Sequence, residues 1–266
     1  GRCWNRQKIY ELMGFDEFIS FDNIKKYMDE DDIEYVRHYV SDRTSFKLVT
    51  DRLENKKPGE KMFLFNVTMQ NHGGYTYDGG EFPTVTISNL QGHYKEAEQY
   101  LSLIKESDKA FEELVRYLKN YDEPTIVVMF GDHQPAVEQE FYEELYGKSL
   151  SKLSTEELQQ RYKIPFVIWA NYDIESQDDL KTSPNYLSDL LLDTANVPKN
   201  EIENFTSEVR NDVPQINAMG HYDSEGNWVS RDEDTSNALD KYEAVEYYML
   251  TRKENKDEKE NKDDKK

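Results

Sequence analysis

Thr125-Ile126-Val127-Val128-Met129-Phe130-Gly131-Asp132-His133-Gln134 is the stretch on which the fold turns. Six uncharged residues, mostly β-branched or bulky, end abruptly in a glycine followed by two side chains that ligate metals. An apolar run this short reads as a central strand covered on both faces. Two more runs match it, residues 62–69 (MFLFNVTM) and 165–170 (PFVIWA). Between the first two lies a helical pattern over residues 94–120. There Ala97, Leu101, Ile104, Phe111, Leu114, Val115 and Leu118 form an apolar stripe between charges. The turn Asp122-Glu123-Pro124 ends it. A strand–helix–strand unit of this length implies an α/β fold, with a mainly parallel sheet flanked by helices.

Working outward, helices are expected over residues 24–30, 137–146, 155–162 and 185–194. Ser154 and Glu157 have the spacing of a capping box, and Pro184 suits a helix start. Beyond Glu201 the periodicity weakens, and residues 220–228 read as a turn-rich hairpin. One domain is expected over residues 1–250. Residues 251–266 form a Lys/Asp/Glu/Asn tract that reads as a charged disordered tail.

The composition of the 266 residues, 36% hydrophobic and 13% aromatic, suits a folded core. The net charge is −21; the last sixteen residues hold seven basic and six acidic groups, so the remainder carries −22. Such a surface repels nucleic-acid phosphates, which excludes nucleic acid as a partner. A phosphate-bearing substrate would need a local positive centre, a metal ion or an arginine. One cysteine, Cys3, excludes an internal disulfide. No apolar stretch approaches the ~20 residues that span a bilayer, and no signal-peptide pattern opens the chain. The chain as written is expected to be soluble.

In open α/β sheets, ligands bind beyond the carboxyl ends of the strands. Asp132 and His133 stand at such an end, offering a carboxylate oxygen and an imidazole nitrogen from one turn. Gly131 is expected to let the backbone bend sharply. This mixed set suits Mn²⁺ or Zn²⁺ better than Ca²⁺. The alternative is an Asp132 that caps a turn beside a His133 bonded locally. His72, after Asn71 and before Gly73 and Gly74, suits a phosphate oxygen or a departing group that needs a proton; its alternative is an incidental histidine in a Gly-Gly turn. Arg6 offers a guanidinium that grips two phosphate oxygens, and Trp4 a surface for a glycerol or lipid fragment. A surface arginine with an anchoring tryptophan is the competing reading. His38, in a helical stretch, His93 at the start of the long helix, and His221 in a turn read as structural or surface residues.

The series Trp4-Asn5-Arg6, then Val67-Thr68-Met69-Gln70-Asn71-His72, then Met129-Phe130-Gly131-Asp132-His133 resembles the lipoteichoic acid synthase family. These are phosphoglycerol transferases of the alkaline phosphatase/sulfatase superfamily, and the likeness spans about residues 3–225. It implies a partial alkaline-phosphatase/sulfatase-like fold with Mn²⁺, or another divalent ion, on Asp132 and His133. Trp4, Arg6 and His72 are implied to contact the phosphoglycerol group, with His72 the candidate for catalysis. The implied partners are a phosphatidylglycerol-type headgroup and a glycerophosphate polymer, at the outer face of a cell membrane.

In that family a metal-ligating glutamate and the nucleophilic threonine lie well upstream of Trp-Asn-Arg, and here only Gly1, Arg2 and Cys3 precede it. The chain therefore reads as a C-terminal portion of the catalytic domain. It is expected to bind metal weakly, to be inactive by itself, and to self-associate through exposed sheet edges. Two rival readings remain: another superfamily member, such as a hydrolase or phosphoethanolamine transferase, and a non-catalytic interaction module.

Overall fold

A computed structural model describes residues 5–235 and 237–251. Trp4 and, apart from Thr251, the expected tail lie outside the described residues. The chain is α/β and divides into two compact units. The first comprises residues 1–125 and 130–165, the second residues 126–129 and 166–266.

The first unit opens with helix α1 (Arg6–Leu12) and then turns through two short 3₁₀ segments, Ile24–Lys26 and Glu30–Asp32. The helix expected over residues 24–30 is thus broken in two. Its apolar residues still pack, with Ile24, Met28 and Ile33 forming a small core against Val40 and Leu48. Strands β1 (Tyr35–Val36) and β2 (Tyr39–Val40) make an antiparallel hairpin across a two-residue turn, Arg37-His38. His38 therefore lies in a hairpin turn rather than a helix.

Helix α2 (Asp42–Asn55) is capped by Ser41, whose side chain accepts from the Thr44 amide. It packs on helix α3 (Lys95–Leu118), the long helix expected from the sequence. Ala97, Leu103, Ala110, Leu114 and Leu118 are buried along α3. Between them α3 buries polar side chains that tie down the loop before it. Glu98 accepts from the Ile87 and Gly92 amides, Ser102 Oγ from the Thr84 and Val85 amides, and Gln99 bonds both backbone groups of Tyr77. Glu138 in turn accepts from the Glu96 and Ala97 amides, where a helix N-terminus favours a carboxylate. Helices α4 (Gln139–Tyr146) and α5 (Thr155–Gln160) complete this unit, and α5 carries the full Ser154–Glu157 capping box.

One expectation fails here. Residues 62–69 form no β-ladder among the described residues, and much of their apolar surface is open, Phe63 at 69% exposure. A strand draws its hydrogen bonds from a neighbour, and among the described residues no strand pairs with this segment. Its aromatic side chains instead lie near α1 and the loop after it, Phe65 edge-on to Tyr10 and Phe63 against Phe15.

In the second unit, strands β3 (Ile126–Phe130) and β4 (Phe166–Ala170) are hydrogen-bonded neighbours, as their composition suggested. Helix α6 (Leu187–Thr194) follows the 3₁₀ turn Pro184–Tyr186, and helix α7 (Glu201–Asp212) is capped by Asn200 and Glu203. Buried Asp189 on α6 is neutralised by Lys199 and by Arg210 on α7. Strands β5 (Gln215–Asn217), β6 (Gly220–Tyr222) and β7 (Trp228–Ser230) form an antiparallel meander. Gly220 is required there, because a Cβ would lie 2.2 Å from the Val229 carbonyl oxygen. His221 is buried in this sheet, in keeping with a structural role. Helix α8 (Asn237–Thr251) ends the described chain. No described helix is long and apolar enough to cross a membrane.

Candidate functional site

Two loops of the first unit carry the candidate chemistry. The first is Gln70-Asn71-His72-Gly73-Gly74, a turn closed by the His72 amide on the Met69 carbonyl at 3.0 Å. Its base is fixed by a buried polar network. Ser107 Oγ on α3 accepts from the Gln70 and Asn71 side-chain amides, at 3.1 and 2.7 Å, and donates to the Asp42 carboxylate. The Asp42 amide donates to Gln70 Oε1 at 3.0 Å. Burial pushes the Asp42 carboxyl above the usual aspartate range, against the opposing hydrogen bonds of Ser107 and Thr68.

The other side of this loop is held by Arg37. Its Nη2 donates to the Gln70 and His72 carbonyls, at 2.7 and 2.9 Å, and its Nη1 to the Gly74 carbonyl at 3.1 Å. The guanidinium also sits 5.4 Å from the Tyr39 ring and 5.7 Å from the Tyr75 ring. Gly74 has a φ of +87°, which explains a glycine at that position. His72 is exposed, and its Nδ1 lies 3.3 Å from the Tyr39 hydroxyl.

The second loop, Gly131–Gln134, directly follows β3. Its flanks are tied by the Gly131 amide on the Pro165 carbonyl and by the Gln134 side chain on the Lys163 carbonyl. Gly131 does not supply the expected bend. It has no positive φ, and an added Cβ would meet Ile164 at an ordinary 3.6 Å. Asp132 Oδ1 accepts from the His133 amide, and His133 Nδ1 lies 2.8 Å from the Gln134 carbonyl. These are the local bonds of the alternative reading, yet they leave one donor atom free on each residue. Asp132 Oδ2 and His133 Nε2 are 3.5 Å apart on highly exposed side chains. Two ligands each ~2.1 Å from one ion lie roughly 3 to 3.5 Å apart, so this pair fits one divalent ion. A His whose Nδ1–H is held by a carbonyl presents Nε2, as metal-binding histidines do. Among the described residues no third His, Cys, Asp or Glu joins them.

Burial, and after it the neighbouring Tyr100, push the Tyr75 hydroxyl up to about 12 against the opposing Arg37 guanidinium. Tyr75 also donates to the Asn71 carbonyl at 2.9 Å, on the His72 loop.

Arg6 begins α1, and among the described residues no hydrogen bond or ion pair joins it to His72, Asp132 or His133. Trp4 falls outside the described residues. His93 is exposed beside Tyr94, and His38 stacks edge-on with Tyr77. Sequence reasoning missed Arg37, Tyr39, Asp42, Gln70 and Ser107. The available signal was Tyr35-Val36-Arg37-His38-Tyr39-Val40, a Tyr-Val pair repeated across two residues, which is hairpin spacing.

Comparison with known proteins places the chain in a family. The chain is 26% identical over 265 residues to a candidate cyclic beta-1,2-glucan modification protein of Rhizobium meliloti (strain 1021), covering 97% of this chain and 35% of the relative. It is 29% identical over 130 residues to the capsular polysaccharide biosynthesis protein RkpI of the same organism, 49% of this chain and 21% of that one. The chain thus spans about a third or less of these relatives. Its fold is shared with Streptococcus pyogenes phosphoglycerol transferase GacH, solved with sn-glycerol-1-phosphate: TM-score 0.61, 21% identity, 90% of this chain and 55% of that one. The sulfatase family model matches residues 1–197, and the chain belongs to the sulfatase family.

Proposed function

We propose that this chain is the C-terminal part of the catalytic domain of a metal-dependent phosphoglycerol transferase. It would act at the outer face of the cell envelope, moving a phosphoglycerol group from a phosphatidylglycerol-type donor to an envelope polymer. The observation that carries this reading is the presence, within one unit, of a loop-anchored His72 and the Asp132–His133 donor pair. The glycerol phosphate bound to GacH, and the polysaccharide roles in the relatives' names, support the substrate class.

A divalent ion such as Mn²⁺, held by Asp132 Oδ2, His133 Nε2 and further ligands, would neutralise charge on the phosphoryl oxygens. His72 Nδ1 lies 3.3 Å from the Tyr39 hydroxyl, and with that hydroxyl as the donor neutral His72 carries its proton on Nε2. It then donates either to a phosphate oxygen or to the oxygen that departs with the glyceride. Arg6 supplies a guanidinium for the phosphate. No residue of this chain is assigned the nucleophile's role.

The test is calorimetric titration of Mn²⁺ into this chain and into the whole protein, alongside turnover of phosphatidylglycerol by the latter. One-to-one binding by the whole protein, lost in Asp132→Ala and His133→Ala and weaker in this chain, is the expected result. Turnover of phosphatidylethanolamine or an aryl sulfate, with none of phosphatidylglycerol, would replace the donor. Absence of both binding and turnover would leave an interaction module.

A further inference from the structure

We infer that Arg37 and Tyr39 are positioning residues for His72, Arg37 setting the height of its loop and Tyr39 the orientation of its ring. The inference rests on the reading of His72 as a phosphate-site histidine.

The first observation is a local conflict. Arg37 takes the first position of a two-residue hairpin turn with a φ of +57°. Glycine, asparagine or aspartate fills such a position at little cost. A bulky residue held there persists when its surroundings over-determine it. What surrounds it is the His72 loop. One planar fork satisfies three carbonyls, of Gln70, His72 and Gly74, spaced over five residues. A lysine ammonium has three donors on a flexible stem and no fixed plane, so it does not reproduce that span.

The second observation is the placement of the fork. The two tyrosine rings flank the guanidinium, and burial lowers its proton affinity without neutralising an arginine. Its Nε is buried with no hydrogen-bond partner among the described residues. Leaving a donor unsatisfied is costly, so the side chain is not placed to maximise its own bonding. It is placed where its two terminal nitrogens reach the loop.

The third observation links the hairpin to the ring. Two residues after Arg37, on β2, the Tyr39 hydroxyl meets His72 Nδ1, with ring centroids 5.8 Å apart. The contact has either sense, and we take the hydroxyl as the donor, which selects the tautomer with the proton on Nε2. One hairpin thus sets the loop backbone, the ring plane and the proton position of one exposed histidine. A purely structural hairpin has no need of the last two.

The test is long-range ¹H–¹⁵N correlation of the histidine rings in this chain, with His72 assigned through His72→Gln. The wild type should show His72 with Nδ1 as acceptor and Nε2 protonated. Tyr39→Phe should move both nitrogens toward the tautomer average of a free imidazole. Arg37→Lys should broaden or double the His72 signals while amides outside residues 35–40 and 69–75 keep their shifts. In the whole protein Arg37→Lys should lower kcat by up to about 10²-fold, the scale of a misplaced catalytic group, with KM little changed. Unchanged His72 ring signals in both Tyr39→Phe and Arg37→Lys would overturn the inference, whatever Arg37→Ala does to folding. Ring signals that respond as expected, beside turnover indifferent to His72→Gln, would sustain the positioning and overturn the transfer reading alone.

Discussion

The His72 loop and the Asp132–His133 turn are held in opposite ways. The first is anchored from outside itself, by Arg37 on one side and by Asp42 and Ser107 on the other. The second holds its two candidate ligand side chains by bonds within the turn, leaving them largely open to solvent. An anchored loop suits a group whose proton must be aimed. An open turn suits a ligand pair, because an ion recruits its donors and imposes their geometry on them. The difference also separates the costs of mutation: the first loop couples to the fold through its side chains, the second only through its flanks, Gly131 and Gln134.

The largest effect that would break this contrast lies on the open turn. Asp132→Ala should weaken Mn²⁺ binding by the whole protein by more than about 100-fold, beyond the loss of an outer partner. Its denaturation midpoint should stay close to the wild type. A large shift in that midpoint would show the turn to be structural after all.

Next comes the anchor of the other loop. Asp42→Ala removes the acceptor of Ser107 and leaves buried polar groups unpaired, so it should cost about 2–3 kcal/mol in urea unfolding. A cost near zero would show that the polar network does not hold the loop.

The same carboxylate sharpens the comparison through pH. The folded state raises the Asp42 pKa above the ordinary aspartate value of about 3.9. The unfolded chain therefore releases this proton at lower pH, and the charged form costs the fold. Relative to Asp42→Asn, the wild type should lose stability as pH rises through that raised value and then level off. Urea melts from pH 3 to 8 measure it, and a gap moving the opposite way would contradict the burial argument.

The smallest effect is expected in the run that leads into the anchored loop. Phe63→Ser should change stability by no more than about 0.5 kcal/mol, since the side chain is largely in water. The same substitution should reduce self-association of this chain in sedimentation at high concentration, through loss of exposed apolar surface. A wild type that stays monomeric there would rule that association out.

What the sequence determined by itself follows from local rules. The stripe from Ala97 to Leu118 yields the long helix, the Ser154–Glu157 spacing yields the capping box of α5, and the runs ending at Phe130 and Ala170 yield paired strands. Asp132 and His133 are adjacent in the chain, so their convergence needed no fold to reveal it. The tertiary structure alone decided the rest. Residues 62–69 have the composition of a strand but no strand partner among the described residues, and composition cannot supply a neighbour's hydrogen bonds. Helix α7 and the Arg37 hairpin carry weak local patterns, and the role of the hairpin exists only through contact with a loop more than thirty residues away. Local periodicity encodes which face is apolar; which carbonyl a guanidinium will meet is a property of the folded chain.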